Sequence, residues 1–481
     1  MGRAGLPTDP GGARLCCMSH AGAWSVFVAV LLFAASTVSA QEEAAASDVQ
    51  KVGKYYVLHY HGGDESLAEQ ALAAVERAWP MVAGAFGVPD AVPAAPLAVH
   101  LYRTAAGYEA ADKELTGGKF QRNLAMSHWE SKSSHVALQP PCTDEALRAL
   151  GLPGITVELL AWEAAHLARY ELCPNFPDHP DWFVDGLASS VGRAICEATY
   201  PTGNVDSLPT MATDFLTVQR LLQQKKLPPV SAILADSIED LDFAARYAVR
   251  AVFWRFLQSD GYKSKLAKLA AAVRSTGGGS GFAKAVLGTA KTVLGSAVER
   301  DFTTFVQKAR PKWEELYRAL SMHGKEWHQL AFPNRNAVAW NRDPVKGGRL
   351  YASGTLRILP GGRRQMNFLF GRTEAEDFYT LAFVADQGFT VFRFDGASGE
   401  WASLGVAKAP ALRLGYTMPF SIECSGKDLL VKLDALSWNF ELPVALQKEV
   451  FWGVGVQAGV QDGPEGSAGI WGDVTVGAKK R

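Results

Sequence analysis

Excess charge of either sign is missing from this chain. Lys and Arg number 48 against 49 Asp and Glu, a formal net charge of −1, so neither nucleic acid nor an anionic membrane surface is expected as a partner. Long hydrophobic runs are missing too. The apolar stretch from Trp24 to Ser36 holds about a dozen residues, too few to span a bilayer. Cysteine is scarce, 6 in 481 residues, and none has the C-x-x-C spacing of a zinc or redox motif. No Asp-rich loop announces calcium. No pair of carboxylates on one strand offers the acid and base that a glycosidase needs.

What is present begins with an export layout. Arg3 and Arg14 precede the apolar run and Val38-Ser39-Ala40 follows it, which reads as a signal peptide over residues 1–40 cleaved after Ala40. An uncleaved anchor is the alternative, and Met18 is an alternative start. The expected location is secreted or periplasmic/extracellular, with no membrane contact once the signal is removed. Cys16 and Cys17 leave with it. Cys142, Cys173, Cys196 and Cys424 remain, and an exported chain permits pairing. Cys173 follows the first predicted motif helix and Cys196 lies in the next, so that pair could staple the site; Cys142 is an equal competitor for either, and Cys424 is expected to be free and buried.

The chain is organised around residues 156–191, TVELLAWEAAHLARYELCPNFPDHPDWFVDGLASSV. Ile155, Leu159, Leu160 and Leu167 recur at helical spacing, as do Trp182, Phe183, Leu187 and Val191, so two helices joined by a Pro-rich loop are predicted. The first carries Trp162-Glu163-Ala164-Ala165-His166. A histidine at 162 would make this H-E-x-x-H, in which two imidazoles at i and i+4 share a helix face and hold zinc. Asp185 follows nineteen positions after His166, inside Pro180-Asp181-Trp182-Phe183-Val184-Asp185-Gly186-Leu187-Ala188.

These residues resemble the gluzincin metallopeptidases, particularly their secreted bacterial (peptidase MA-like) branch, whose core reads H-E-L-x-H followed by P-x-W-x-x-E-G-x-A. The resemblance places Glu163 on the general base, His166 on the second zinc ligand and Asp185 on the third, one methylene shorter than the family's Glu. Trp162 falls on the first ligand, and an indole has no lone pair to give a metal. A catalytic zinc wants three protein ligands and an open position for water. Without the metal, nothing lowers the water's pKa toward neutrality. A degenerate motif, and a pseudoenzyme without a cofactor, is the expectation; Zn2+ is required if the enzyme is active. His135, and with less reason His179, are the candidates to replace the lost ligand.

The resemblance spans residues 50–322. A strand–helix–strand–helix–strand region (50–140) precedes the motif helices (141–200), and a helical subdomain (201–322) follows, ending in a predicted helix over Asp301–Leu320. His59, His61, His100, His128 and His135 fall in or beside the strands. Phe243–Leu257 is a strongly apolar helix whose Tyr247 matches a place where related peptidases carry a Tyr; there it would steady an oxyanion, or else serve as a core residue.

After a linker (323–345), residues 346–481 read as short strands of period two separated by turns such as Gly361-Gly362 and Asp395-Gly396, which means a β-sandwich. The run FYTLAF, then FTVFRFDG, Trp401 and IECSGKDLLVKL resembles the concanavalin-like jelly rolls of laminin-G type and of secreted glycan-active proteins. Trp401, Trp438, Trp452 and Trp471 either fill the core or stack on sugar rings, and Asp395 and Asp434 read as turn residues.

The expected fold class is therefore α+β, a zincin-like domain of small sheet plus helices, followed by an all-β jelly-roll sandwich. Three functions are open: a pseudopeptidase binding peptide or protein in its old cleft, with or without glycan on the sandwich; an active zinc metallopeptidase with a substitute ligand; and a carbohydrate-binding module on an inert scaffold.

Overall fold

The computed structural model describes residues 49–478, apart from 122, 140–141, 174, 203–204, 280, 317–319, 332–335, 410–411 and 458–465. Residues 1–40, expected as a signal peptide, lie outside the described residues, and Cys16 and Cys17 with them.

The first half opens with β1 (Val49–Val52), β2 (Tyr56–Tyr60), α1 (Glu65–Ala85), β3 (Leu97–Tyr102), α2 (Ala105–Thr116), β4 (Ala125–His128) and β5 (Ser133–Ala137). The sheet order is β1-β2-β3-β5-β4. Its three middle strands are parallel and its two edges antiparallel. In β2, Tyr56, Leu58 and Tyr60 are buried on one face, as alternation requires. Against that face lies α1, through Ala71, Val75, Ala78 and Val82. Among the described residues nine further α-helices follow: α3 (Asp144–Leu150), α4 (Gly154–Leu172), α5 (Asp181–Thr199), α6 (Pro209–Gln223), α7 (Val230–Leu234), α8 (Phe243–Leu257), α9 (Lys263–Ser275), α10 (Phe282–Leu294) and α11 (Val298–Lys308).

The two motif helices approach closely because glycine permits it. A Cβ at Gly192 of α5 would stand 2.7 Å from the Glu158 carbonyl oxygen of α4. Beside this contact Arg193 bridges Asp214 of α6 and Glu158 of α4, its Nε 3.4 Å from Glu158 Oε1. All three are buried, so charges that would be costly alone satisfy one another.

Two seven-stranded antiparallel sheets form the second half, the expected jelly-roll sandwich. Its strands are β6 (Trp313–Leu316), β7 (Leu320–His323), β8 (Glu326–Ala331), β9 (Asn336–Lys346), β10 (Arg349–Ile358), β11 (Gln365–Arg372), β12 (Phe378–Val384), β13 (Gly388–Asp395), β14 (Glu400–Lys408), β15 (Met418–Ser425), β16 (Asp428–Leu433), β17 (Leu436–Glu441), β18 (Glu449–Gln457) and β19 (Ser467–Gly477). One sheet runs β17-β16-β15-β10-β19-β8-β7 and the other β14-β13-β12-β11-β18-β9-β6. Phe368, Leu381, Phe383, Phe420, Ile422 and Trp471 fill the space between them.

Two sequence expectations need correcting here. The helix predicted over Asp301–Leu320 stops at Lys308, and the chain enters the sandwich at Trp313. Pro311 disfavours helix in the residue before it, and Trp313 gains a buried seat 5.6 Å from Trp327 and 5.5 Å from Trp452. The segment expected as a linker, 323–345, supplies β8 and most of β9. Its period-two pattern is broken where β9 and β18 change register between Val450 and Trp452, so three residues, Arg342 to Pro344, stand against one.

The halves are fused rather than strung together. Leu330 and Ile470 of the sandwich belong to the hydrophobic core of the first half. Thr143 donates to the Pro360 carbonyl at 3.1 Å, and Tyr200 packs on His323 at 3.9 Å.

Candidate functional site

Helix α4 sets Trp162, His166 and Tyr170 on one face by their i, i+4 spacing. Their rings touch in file: Trp162 to His166 at 6.2 Å and His166 to Tyr170 at 6.3 Å. Other elements lengthen the file at both ends. Tyr247 of α8 lies 5.9 Å from Trp162, and Phe243 lies 4.7 Å from Tyr247. Phe176, in the Pro-rich loop, lies 4.6 Å from Tyr170 and 5.6 Å from Trp129. The terminal residues Phe243 and Trp129 are exposed. Where the resemblance would put a metal, the chain has built an aromatic strip.

The acidic residues beside it are altered in charge by burial. Ser127 of β4 donates to Glu163 Oε2 at 2.6 Å, while Ser134 of β5 donates to the Glu163 carbonyl at 3.1 Å. Burial outweighs the serine hydrogen bond and pushes the Glu163 carboxyl up to about 7. Asp185 is likewise pushed up to about 6 by burial, against the opposing pull of Arg250. Arg250 Nη1 donates to Asp185 Oδ2 at 2.7 Å and Nη2 to Asp181 Oδ2 at 2.6 Å. Asp236 accepts from the backbone N–H groups of Asp181 at 2.8 Å and Trp182 at 3.2 Å. It thereby satisfies the first amides of α5, which Pro180, the cap residue, cannot do with its side chain.

A zinc ion does not fit this donor set. Trp162 offers no lone pair, and the Asp185 carboxylate already faces a guanidinium. His166 is held neutral, pushed down to about 3 by burial and by Arg169. Neither substitute histidine is available. His135 has Nδ1 2.8 Å from the Tyr102 hydroxyl and Nε2 2.8 Å from Ser133 Oγ. His179 has Nδ1 3.4 Å from Arg169 and Nε2 3.3 Å from Asn175. Among the described residues no three His, Cys, Asp or Glu side chains converge as a metal set. Tyr247, the oxyanion candidate, is packed between Trp162 and Phe243, and burial raises its hydroxyl pKa far above the usual value.

The cysteine staple is also corrected. No disulfide joins Cys173 to Cys196; the Cys196 thiol instead donates to the Gly154 carbonyl at 3.7 Å. All four described cysteines are buried.

Sequence reasoning passed over Arg250 and Ser127. Arg250 did leave a signal. An arginine in the middle of FAARYAVRAVFWRFL is too costly to bury without a carboxylate partner, and Asp185 supplies one.

The sandwich has a second group of aromatics. Trp471 and Trp452 are core residues, 0% and 7% exposed, and Trp438 packs partly buried against Phe389 at 5.2 Å. Trp401 differs, at 44% exposure. In β12, Tyr379, Leu381 and Phe383 face the core, so Phe378 points outward. Cross-strand register aligns Phe378 with Phe394, and Phe394 with Trp401. Trp401 lies 4.9 Å from Phe394 and 5.5 Å from Phe378, which lies 5.4 Å from Trp340. Arg372 stacks over Trp340 at 5.3 Å and pairs with Glu314 and Glu376, each at 2.9 Å. On the outer face of one sheet Trp401 is exposed and Phe378 and Trp340 are half-buried, with Phe394 packed beneath them at 6% exposure, and the row ends in charged groups. Asp395, read as a turn residue, accepts from the amides of Ala397 and Ser398.

No family model matches the chain, and no curated protein is similar to it. Solved structures similar in fold include the carbohydrate binding module CBM66 from Bacillus subtilis, 13% identical over 34% of this chain and 95% of that one, with a TM-score of 0.29. A β-glucanase from Bacillus licheniformis is 9% identical over 35% and 92%, with a TM-score of 0.29. The exoplasmic/lumenal domain of VIP36 is 10% identical over 36% and 85%, with a TM-score of 0.26. The C-terminal sandwich resembles these jelly rolls in layout, while function has to be argued from this chain's own residues.

Proposed function

We propose that this chain is an exported, non-catalytic binding protein that recognises carbohydrate on the outer face of its sandwich, carried on a peptidase-like scaffold whose metal chemistry is gone. The observation that carries the carbohydrate reading is the accessible row Trp401, Phe378 and Trp340, seated on the buried ring of Phe394. Indole and phenyl faces stack on the C–H faces of pyranose rings, and Arg372, Glu314 and Glu376 supply hydrogen-bond partners at the end of the row. The loss of catalysis is supported by the Asp185–Arg250 pair, which spends on a guanidinium the carboxylate that a metal would use.

The test is retention of the full-length mature chain on a panel of immobilised polysaccharides, beside Trp401→Ala and Arg372→Ala. Retention of the unaltered chain on at least one glycan, lost in Trp401→Ala while the variant stays folded, is expected. No retention on any glycan, or retention indifferent to Trp401, would overturn the reading.

The strip from Phe243 to Trp129 favours a second binding role, for peptide or protein in the old cleft. Crosslinking from a photoreactive residue at position 162 tests it: adducts with added unstructured polypeptide are expected, and their absence would remove this role.

A further inference from the structure

A cavity of about 470 Å³ is lined by residues that the aromatic strip does not include. That is within the range of small-molecule sites, about 300–1,000 Å³. It is enclosed by α1, α5, α6, α8 and α9. Its depth is mainly apolar: Val191, Met211, Ala251 and Ala270 line it and are nearly inaccessible from outside, beside the equally buried Ser189 and Arg193. Its rim is different. Met81 of α1 and Lys263 and Ala267 of α9 line it and are exposed, so the mouth opens between the end of α1 and the start of α9.

The charges on its walls are of one sign. Arg193, Arg255 and Lys263 line the cavity, and no carboxylate does. Arg193 is answered by Asp214 and Glu158, and Arg255 by Asp206 at 2.6 Å. The amide of Lys263, the first residue of α9, donates to the Ser259 carbonyl at 2.8 Å, but its ammonium has no ion-pair or hydrogen-bond partner among the described residues. It is therefore the uncompensated charge at the mouth, and the amides of a helix N-terminus beside it also favour an anion. An apolar depth with a cationic rim selects an apolar body bearing an anionic head.

We propose that this cavity binds a single-chain amphiphile, with its alkyl chain between α5 and α8 and its anionic head at Lys263. A free fatty acid and a lysophospholipid share that chemistry. The site is separate from both aromatic surfaces and does not depend on the carbohydrate reading.

The test is calorimetric titration of the full-length mature chain with dodecanoate, decanoate, dodecanol and a lauroyl lysophosphatidylglycerol, all below their aggregation concentrations. Saturable one-to-one binding is expected, strengthening roughly fourfold per added methylene from decanoate to dodecanoate. Dodecanoate without the lysolipid assigns the free acid, and the converse assigns the lysolipid. Lys263→Glu should weaken dodecanoate about tenfold and leave dodecanol unchanged. Being exposed at a helix N-terminus, this change leaves the fold intact. Ala251→Leu, which fills the depth, should weaken both ligands. Absence of binding by dodecanoate and lysolipid alike would overturn the proposal. So would affinity that is indifferent to chain length, or equal in Lys263→Glu and the unaltered chain.

Discussion

Arg250 of α8 reaches across to α5 and sets its Nη1 2.7 Å from Asp185 Oδ2. The side chains of both are largely buried, 9% and 13% exposed, so each is the other's main compensation. Asp181, which Arg250 also touches, is 63% exposed and can turn to water. Replacing Arg250 by Met leaves Asp185 uncompensated. We expect a loss of about 3 kcal/mol in urea unfolding at pH 8, where Asp185 must ionise alone. Adding Asp185→Asn should restore most of it. Equal losses in the single and double variants would show that the pair is not coupled.

That relationship marks the limit of what the sequence discloses. Helices α4 and α5 were legible from their helical period: Trp182, Phe183, Leu187 and Val191 are buried, as are Leu160 and Leu167, while Ile155 and Leu159 are only half-buried. Most sandwich strands were legible from alternation. What escaped is tertiary. Whether Trp162 is core or ligand-facing depends on Tyr247, eighty-five positions away. Arg250 could be partnered only once α8 was laid against α5. Strand β9 was hidden by Asp343 and Pro344, which its shifted register with β18 tolerates at an irregularity. The cysteines could not be paired or unpaired from spacing alone, because the depth of each thiol is a property of the packing.

Whether α4 and α5 can hold a metal, as the gluzincin resemblance implies, can be asked by substitution. Trp162→His with Asp185→Glu restores the pattern of residues but keeps Arg250, which competes for the new carboxylate. We expect that double variant to hold little zinc after dialysis. Adding Arg250→Leu should bring the metal content close to one zinc per chain by elemental analysis. If the double variant already binds zinc stoichiometrically, Arg250 is not the obstacle. If neither binds, α4 and α5 do not present their side chains as the gluzincin resemblance implies.

The Glu163 carboxyl makes stability depend on pH in a known direction. Its folded pKa, about 7, lies above the ordinary 4.5, so the folded chain holds this proton over a window where the unfolded chain has released it. Stability therefore falls as pH rises from about 4.5 to about 7. Glu163→Gln removes the ionisation while keeping an acceptor for Ser127. It should stabilise the chain by about 3 kcal/mol at pH 8, and by little at pH 4.5. His166 and His179 act in the opposite sense. Burial lowers both to about 3, so their contribution is present above about 6.5 and is lost as pH falls below it. Measuring variant and parent at each pH cancels that shared background. A stability difference independent of pH would mean that folding does not shift the Glu163 carboxyl.

Gly186, within Trp-Phe-Val-Asp-Gly-Leu-Ala, separates helix propensity from packing. Alanine is favoured over glycine inside a helix by about 1 kcal/mol, and Gly186 lies well inside α5. A Cβ there, however, would stand 2.7 Å from Trp254 Cε3 and 2.8 Å from Trp254 Cβ. The indole cannot swing aside freely, because Phe183 packs edge-on against it at 5.2 Å and Trp182 lies at 6.4 Å. Overpacking should therefore win, and Gly186→Ala should lose about 2 kcal/mol despite the better propensity. Gly84 of α1 is the matched control, since a Cβ there meets nothing within 4 Å. Gly84→Ala should gain about 1 kcal/mol. Because Trp254 lines the apolar cavity, its displacement in Gly186→Ala should also alter amphiphile affinity. Stabilisation by both substitutions would mean that α5 and α8 are not in the close contact that fixes Arg250 on Asp185.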